Sequence, residues 1–348
     1  MKSDNLGFDF MKWRLSYCKS ILRRIKKYKK EKLNLFNELA SEFEGCKGNF
    51  SEKIDYLISY FIFGAQPEDY IIGNFYRIKN FFYRNHYVTI DRLNFIKCKF
   101  NTYEGLFFLD SKEKFDLFYN EYMGRKWCNP SKISEEEFIR MFYLQNGYVF
   151  VKPMNGYGGI GNFKHSADKK SLENLYKRLT ESDENFIVES YIEQKGVLHD
   201  INPSSLNTIR VATVRVRKRV VPLFAYFRAG GAGSIVDNLH SGGVSYSIDI
   251  KNGKLLPGVT FKKDNIVNHP STGIKVAGRI VPHWEAILEY ARKLHKMAPE
   301  GIGFVGWDIC LNGDELCVIE GNGGPAFPRE IRFRDNRWKN VKRLLSEI

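Results

Sequence analysis

No run of about 18 apolar residues occurs anywhere in the 348-residue chain, so no membrane-spanning helix is expected. The opening stretch, MKSDNLGFDFMKWRL, lacks the apolar core of a secretory signal, which points to the cytoplasm. Cysteine is sparse. The six residues at 18, 46, 98, 128, 310 and 317 form no C-x-x-C pair and have no metal-type spacing to histidine. That excludes a disulfide framework and a zinc module, and the thiols read as reduced and mostly buried. Cys310 and Cys317 are spaced to face each other across a hairpin, but a disulfide is not expected there. Internal repeats and low-complexity linkers are also missing. No Gly-Lys-Ser/Thr follows the chain's glycine cluster, so it is not a P-loop.

Hydrophobic residues make up 43% and charged residues 27%, the balance of a soluble globular chain long enough for two or three domains. Tyrosine and phenylalanine are plentiful. The formal net charge of +14 bears on partners rather than fold. It is compatible with nucleotides, acidic glycans, anionic lipid headgroups or nucleic acid. Nucleic acid is not expected, because no named recognition motif is present and the charge is spread rather than striped. Residues 19–32, KSILRRIKKYKKEK, contain eight Lys or Arg, with Ile21, Leu22, Ile25 and Tyr28 at helical spacing. Two readings of this basic amphipathic helix stand: an apolar stripe packed on the core, or contact with an anionic membrane surface at the inner face.

Helices are expected through the aromatic and basic stretch 52–125, with a short strand at Leu106-Phe107-Phe108 and a helix capped by Asp110-Ser111 and running through Phe118. Another capped helix is expected over 134–145, closed by Asn146-Gly147. Later elements are a helix from Ser171, a strand at Phe186–Glu189, paired strands over 208–217 and 220–228, a strand over 244–250, and a helix over 284–297. Asn312-Gly313-Asp314 turns a hairpin made of 304–310 and 315–320. A basic helix closes the chain.

The stretch Tyr148–His165, YVFVKPMNGYGGIGNFKH, carries an apolar run into Lys152-Pro153 and then four glycines in six residues: Gly156, Gly158, Gly159 and Gly161. Glycines this dense let backbone N–H groups approach an anion with no Cβ in the way. Lys152, at the strand end, can reach a phosphate. The letters Gly156-x-Gly158-x-x-Gly161 match a dinucleotide fingerprint, but the following Asn-Phe-Lys-His reads as extended where that fingerprint needs a helix. The bland alternative is an ordinary glycine-rich hairpin.

In the last hairpin, Asp308 lies on the first strand and Glu320 near the end of the second, within about one residue of facing it. Asn322, two residues on, shares the face of Glu320. Three oxygen donors in one patch suit Mg²⁺, with phosphates completing its shell. Solvent-facing acids would explain Asp314 and Glu315. They explain poorly a Glu320 that closes the apolar run Leu-Cys-Val-Ile.

These blocks, in this order, resemble the ATP-grasp superfamily, and most closely its sugar-transfer-associated branch. They are the Lys-Pro glycine hairpin, Val188-Glu189-x-Tyr191-Ile192, Asn207-Thr208-x-Arg210, and Asp308 followed by Glu320-x-Asn322. The resemblance spans about Asp110 to Asn322. It implies an α+β fold of two α+β subdomains clasping ATP, preceded by a helical, basic N-terminal region. The expected boundaries are 1–105, 106–185 with the glycine flap, and 186–348 with the Mg²⁺ site and substrate loop.

The resemblance also implies roles. Lys114, with Lys112 competing, and Lys152 would hold ATP phosphates under a flap formed by Gly156–Gly161. Glu189, Tyr191 and Ile192 would meet adenine, with Glu193 or Gln194 near the ribose. Asn207 belongs to the nucleotide site, and Arg210 would steady the transferred phosphate. Asp308, Glu320 and Asn322 would hold Mg²⁺. Arg228, Asn238, His240, Gly242 and Gly243 would line the acceptor site, with Arg228 on its carboxylate. Taken singly, His240 reads first as a plain loop histidine, and a core strand end is the alternative for Tyr191. The activity implied is an ATP-dependent carboxylate–amine ligase working through an acyl phosphate. Its carboxylate would be a uronic acid or similar sugar acid of a surface polysaccharide such as capsule. Its amine would be an amino acid or small amino alcohol. A phosphotransferase and a non-catalytic nucleotide sensor at the membrane are the rivals.

Overall fold

The structure, a computed structural model, describes residues 22, 24–25, 28–43, 45–155, 159–239, 242–260, 263–326, 341–344 and 346. Residues 19–21, 23, 26 and 27 of the basic stretch 19–32 and most of the closing basic helix lie outside them. So do Gly156, Gly158 and His240. The chain divides into two compact units, residues 1–96 with 329–346, and residues 97–328 with 347–348.

The first unit is helical, with α1 (Glu31–Glu42), α2 (Phe50–Phe63), α3 (Pro67–Ile72), α4 (Phe81–His86) and the start of α5 (Ile90–Phe100). Asn49 caps α2 by accepting from the Glu52 N–H, and Gly64 ends it in the left-handed region. Its core is aromatic. Phe36 stacks on Tyr56 at 4.8 Å, and Tyr70, Phe75 and Tyr87 are fully buried around them. Buried Arg84 forks onto Asp55 at 2.9 and 2.8 Å, which satisfies a charge the core could not hold alone.

In the second unit, α6 (Tyr103–Asp110) occupies the stretch expected as a strand. The apolar run Leu106-Phe107-Phe108 is too short to have its own period, and the Thr102 cap, which accepts from the Gly105 N–H, selects helix. α7 (Lys112–Phe118) follows. Then come β1 (Trp127–Cys128), α8 (Glu135–Phe142) with its Ser134–Glu137 capping box, β2 (Tyr148–Pro153), β3 (Phe163–Ser166), α9 (Lys169–Thr180) and β4 (Phe186–Ser190). Among the described residues these strands form a sheet of order β1-β4-β2-β3. β3 is a strand, not a helix, so the glycine loop joins the two arms of a β-hairpin.

A larger sheet contains β5 (Thr208–Val216), β6 (Arg219–Ala229), β7 (Val244–Ile248), β8 (Leu255–Val259), β9 (Phe304–Asn312) and β10 (Glu315–Asn322) in the order β10-β9-β5-β6-β7-β8. β8 goes unmarked in the sequence, because Leu-Leu-Pro-Gly-Val has no alternation. β5 and β9 are buried almost throughout, as central strands must be. α10 (Trp284–Met297) lays Ile287, Leu288, Ala291 and Leu294 on this sheet, in one core with Trp307 and Ile309. The paired thiols are direct neighbours, Cys310 facing Cys317, and both are free. β4 lies inside the smaller sheet, between β1 and β2. A strand's period does not name its partner.

Candidate active site

Cross-strand register builds the site. Glu320 on β10 faces Asp308 on β9, Asp308 faces Arg210 on β5, and Arg210 faces Tyr226 on β6. Directly opposed residues share a face, so this row points one way. A neighbouring pair, Thr208 and Arg228, lies two residues along. Glu320 reaches that face through a β-bulge. Val318 pairs with Ile309 and Glu320 with Asp308, which leaves Ile319 extra. Without it, Val318 and Glu320 would point the same way, into the core.

Asp308 is fully buried and receives two guanidinium groups. Arg210 forks onto both of its oxygens, and Arg228 donates to Oδ2 at 2.6 Å. Burial would raise the Asp308 carboxyl, but the two arginines hold it down at about 2. Arg228 also donates to the Thr208 hydroxyl at 3.0 Å, pairs with Asp237 at 3.3 Å, and reaches Asn238 Oδ1 at a long 3.4 Å. Arg210 reaches Glu320 at 3.4 Å, and Asn322 Nδ2 donates to Glu320 at 3.1 Å. The Glu320 carboxyl is pushed up by its dense surroundings and by the Asp308 carboxylate beside it. Half of its side chain (51%) still faces the open cleft, so solvent screens part of that effect.

The smaller sheet supplies the opposite charges. Glu189 on β4 is buried, takes Arg125 at 2.8 and 3.1 Å, and takes Lys152 of β2 at 2.7 Å. Arg125 also donates to the Val318 and Ile319 carbonyls at the bulge, at 2.8 and 3.2 Å. Burial alone would raise Glu189, but Arg125 and Lys152 more than offset it and hold it at about 2. Lys112 donates to the carbonyls of Pro153 and Met154, at 2.9 and 3.0 Å, at the root of the glycine loop.

These groups line a cleft of about 900 Å³. One part has an apolar wall of Phe150, Tyr191, Ile192, Leu206, Ile235 and Val236. The adjoining part is charged, with Lys112, Asp116, Lys152, Arg210, Arg228, Glu320 and Asn322. Tyr191 is tied to the smaller sheet by Lys164, whose ammonium lies 3.8 Å from its ring and 3.7 Å from that of Tyr148.

Several expected residues stand elsewhere. Lys114 is exposed, with its ammonium 4.4 Å over the Phe107 ring, and it lines a different hollow. Lys112, on the other side of the same helix, enters the cleft. Asn207 is a corrected expectation. It is fully buried and donates to the carbonyls of Leu198 and Asn202, while Ser205 donates to its Oδ1. Its polar atoms are engaged in fixing the turn ahead of β5, not in the cleft. Gln194 is likewise taken up by the Asn207 and Leu311 carbonyls. Glu193 opens on an adjoining shallow hollow with Lys126 and Lys195. Glu189 meets arginine and lysine rather than presenting a free acceptor. Gly242 and Gly243 shape a loop: a Cβ on Gly243 would lie 2.7 Å from the carbonyl oxygens of Asp237 and Asn238. Gly161, like Gly159, holds a positive φ of 78°, and a Cβ there would crowd the Pro153 ring. Gly159 lines the cleft against Asn238.

Sequence reasoning missed Arg125, Asp116 and Asp237. Asp116 carried a signal: it lies four residues from Lys112, on the same helical face. It is 3% exposed, and burial, with the Glu189 carboxylate second, pushes its carboxyl to about 7.

The donor set on β9 and β10 admits a hard divalent cation. Among the described residues no three His, Cys, Asp or Glu side chains converge. Glu320 and the Asn322 amide nonetheless give two oxygens on the cleft face, and a cation beside Glu320 would relieve its crowding with Asp308. Asp308 fits less well, since both its oxygens already take arginine.

Residues of two antiparallel sheets line this cleft, apolar in one part and charged in the other. The chain belongs to the sugar-transfer associated ATP-grasp family, which it matches over residues 135–331, more than half its length. Lys112 and Lys114 lie ahead of that match, so geometry alone separates them. No curated protein matches the sequence. Solved structures resembling it include the N5-carboxyaminoimidazole synthase of Aspergillus clavatus with ADP and 5-aminoimidazole ribonucleotide (11% identity, TM-score 0.42, 71% of this chain and 54% of that one). D-alanyl-alanine synthetase A of Vibrio cholerae gives 12% identity and a TM-score of 0.44 over 71% and 67%. The L-amino acid ligase of Bacillus licheniformis gives 13% and 0.39 over 63% and 41%. The chain spans about half the length of the first of these structures.

Proposed function

We propose that this protein is an ATP-dependent carboxylate–amine ligase that makes an amide through an acyl phosphate. Its acid would be a uronic or similar sugar acid in surface-polysaccharide or glycoconjugate synthesis, and its amine an amino acid or small amino alcohol. The observation carrying this reading is the convergence of Lys112, Lys152, Arg210 and Arg228 on one cleft beside the Glu320–Asn322 oxygens. Family membership supplies the nucleotide, and the branch suggests the sugar.

In this reading adenine enters the apolar part of the cleft beside Tyr191 and Ile192. Lys112 and Lys152 neutralise the phosphates, and Lys112 also fixes the root of the glycine loop that covers them. Mg²⁺, held by Glu320 and Asn322 with Asp308 behind them, would spread the charge of the phosphate oxygens. The acid's oxygen attacks the γ-phosphorus and the bond to the β-phosphate oxygen breaks, releasing ADP. Arg210 steadies the transferred group with a planar fork that lysine lacks. Arg228, fixed in place by Asp308, Thr208 and Asp237, orients the carboxylate. The amine then attacks the acyl carbon, phosphate leaves with one carboxylate oxygen, and the nitrogen loses a proton. Closure of the loop excludes water, which would otherwise hydrolyse the acyl phosphate.

The test is ADP release from Mg²⁺-ATP with pooled uronic-acid sugars and hydroxylamine, with Lys152→Met and Glu320→Ala alongside. Sugar-dependent ADP together with a hydroxamate, both lost in the variants, is the expected result. ADP with a stable phosphorylated sugar and no hydroxamate would replace this reading with a phosphotransferase.

A further inference from the structure

The first unit carries an apolar face that its own core does not use. Along α2, Phe50, Ile54, Ile58 and Ile62 recur every fourth residue and are 78, 44, 48 and 38% exposed. This is a continuous stripe one residue wide on the side opposite Tyr56, Ser59, Tyr60 and Phe63. Near the C-terminal end of α2, Phe81 packs on Phe63 of the buried side at 5.3 Å and stays 55% exposed, with Phe82 beside it at 72%. Soluble surfaces scatter such residues singly, and a row of this kind marks a contact surface.

Charge selects the occupant. Residues 1–96 and 329–346 hold 24 Lys and Arg against 13 Asp and Glu, so this unit carries +11 of the chain's +14. Two copies meeting through a unit so charged would repel each other. An anionic lipid surface would attract it at about 1 kcal/mol per basic residue near the headgroups, while the branched and aromatic side chains enter the acyl boundary. The two signals together are what stable peripheral attachment needs. No described helix is long and apolar enough to cross a bilayer.

We propose that the N-terminal unit docks on an anionic membrane through the Phe50–Ile62 face of α2. The orientation is that of a helix lying in the interface, with its stripe down. The proposal does not depend on the ligase reading, and its test reads binding rather than catalysis.

The full chain would be floated with phosphatidylcholine vesicles, with and without phosphatidylglycerol. Flotation is expected only with the anionic lipid, and added salt should weaken it. Ile54→Ser with Ile58→Ser should cut the bound fraction about tenfold or more, since two buried isoleucines are lost. Ile58→Trp should raise it, because Trp favours the interface. All four positions of the stripe face solvent, so the melting temperature of both variants should match the parent and report a folded protein. No flotation, or flotation unchanged in both variants, would overturn the proposal. So would a dimer, seen by light scattering, that the double serine variant dissolves, which would assign the face to a second copy.

Discussion

Asp116 is the clearest single-residue consequence of the site. It is buried beside Lys112 and Lys152 yet also near Glu189, and its carboxyl is lifted to about 7. The sign follows from linkage. An acid whose folded pKa lies above its unfolded one binds its proton more tightly when folded, so stability falls as pH rises from about 4 to about 7. Glu189, held at about 2, acts in the opposite sense and in a lower window: its contribution is lost only as pH falls below about 4. Asp116→Asn should therefore flatten the fall between pH 4 and 7 and raise the melting temperature at pH 8. The gain is equivalent to a few kcal/mol at most, at about 1.4 kcal/mol for each tenfold difference in proton affinity between the folded and unfolded chain. Melts of the metal-free protein across pH would show it. An unchanged profile would mean that Asp116 ionises normally.

At the scale of elements, legibility depended on whether an element's pattern reaches beyond itself. The β9–β10 hairpin was readable because Asn312-Gly313-Asp314 fixes the turn, and the turn fixes the register as far as Val318 against Ile309, one residue short of the Glu320–Asp308 pairing that the bulge completes. The Ile319 bulge was visible only as an acid closing an apolar run. The glycine hairpin was readable from its second arm, the extended Phe163–Ser166. Leu106-Phe107-Phe108 misled because three apolar residues fit either period. Asn207 misled because a motif letter does not say whether its side chain faces a ligand or its own turn. α7 shows the same limit: Lys112 and Lys114, two residues apart, point about 200° apart around the helix, and only one can enter the cleft. Lys112→Met should weaken Mg²⁺-ATP binding about tenfold or more, while Lys114→Met should leave it unchanged, as titration calorimetry would record. The reverse pattern would return the role to Lys114.

For the whole molecule, division of labour follows from where charge lies. The second unit is nearly balanced in charge, and its cleft is lined by Lys112, Arg125, Lys152, Arg210 and Arg228, of which the last four pair with the buried acids Glu189 and Asp308. Such pairing orients the cations and keeps them in place, which is electrostatic preorganisation. The first unit holds the excess positive charge and the unused apolar face. The fold of the second unit could be read from the order of four short blocks. The use of the first could not, since a helix stripe becomes a surface only when its packing is known. The central claim is that the cleft activates a carboxylate, and oxygen isotope transfer tests it most directly. Uronic acids labelled with ¹⁸O in the carboxylate would be turned over with Mg²⁺-ATP and a pool of amines, and the released phosphate analysed by mass spectrometry. Activation through an acyl phosphate predicts that each phosphate formed carries one labelled oxygen from the acid. Phosphate released in step with ADP but free of label would contradict it.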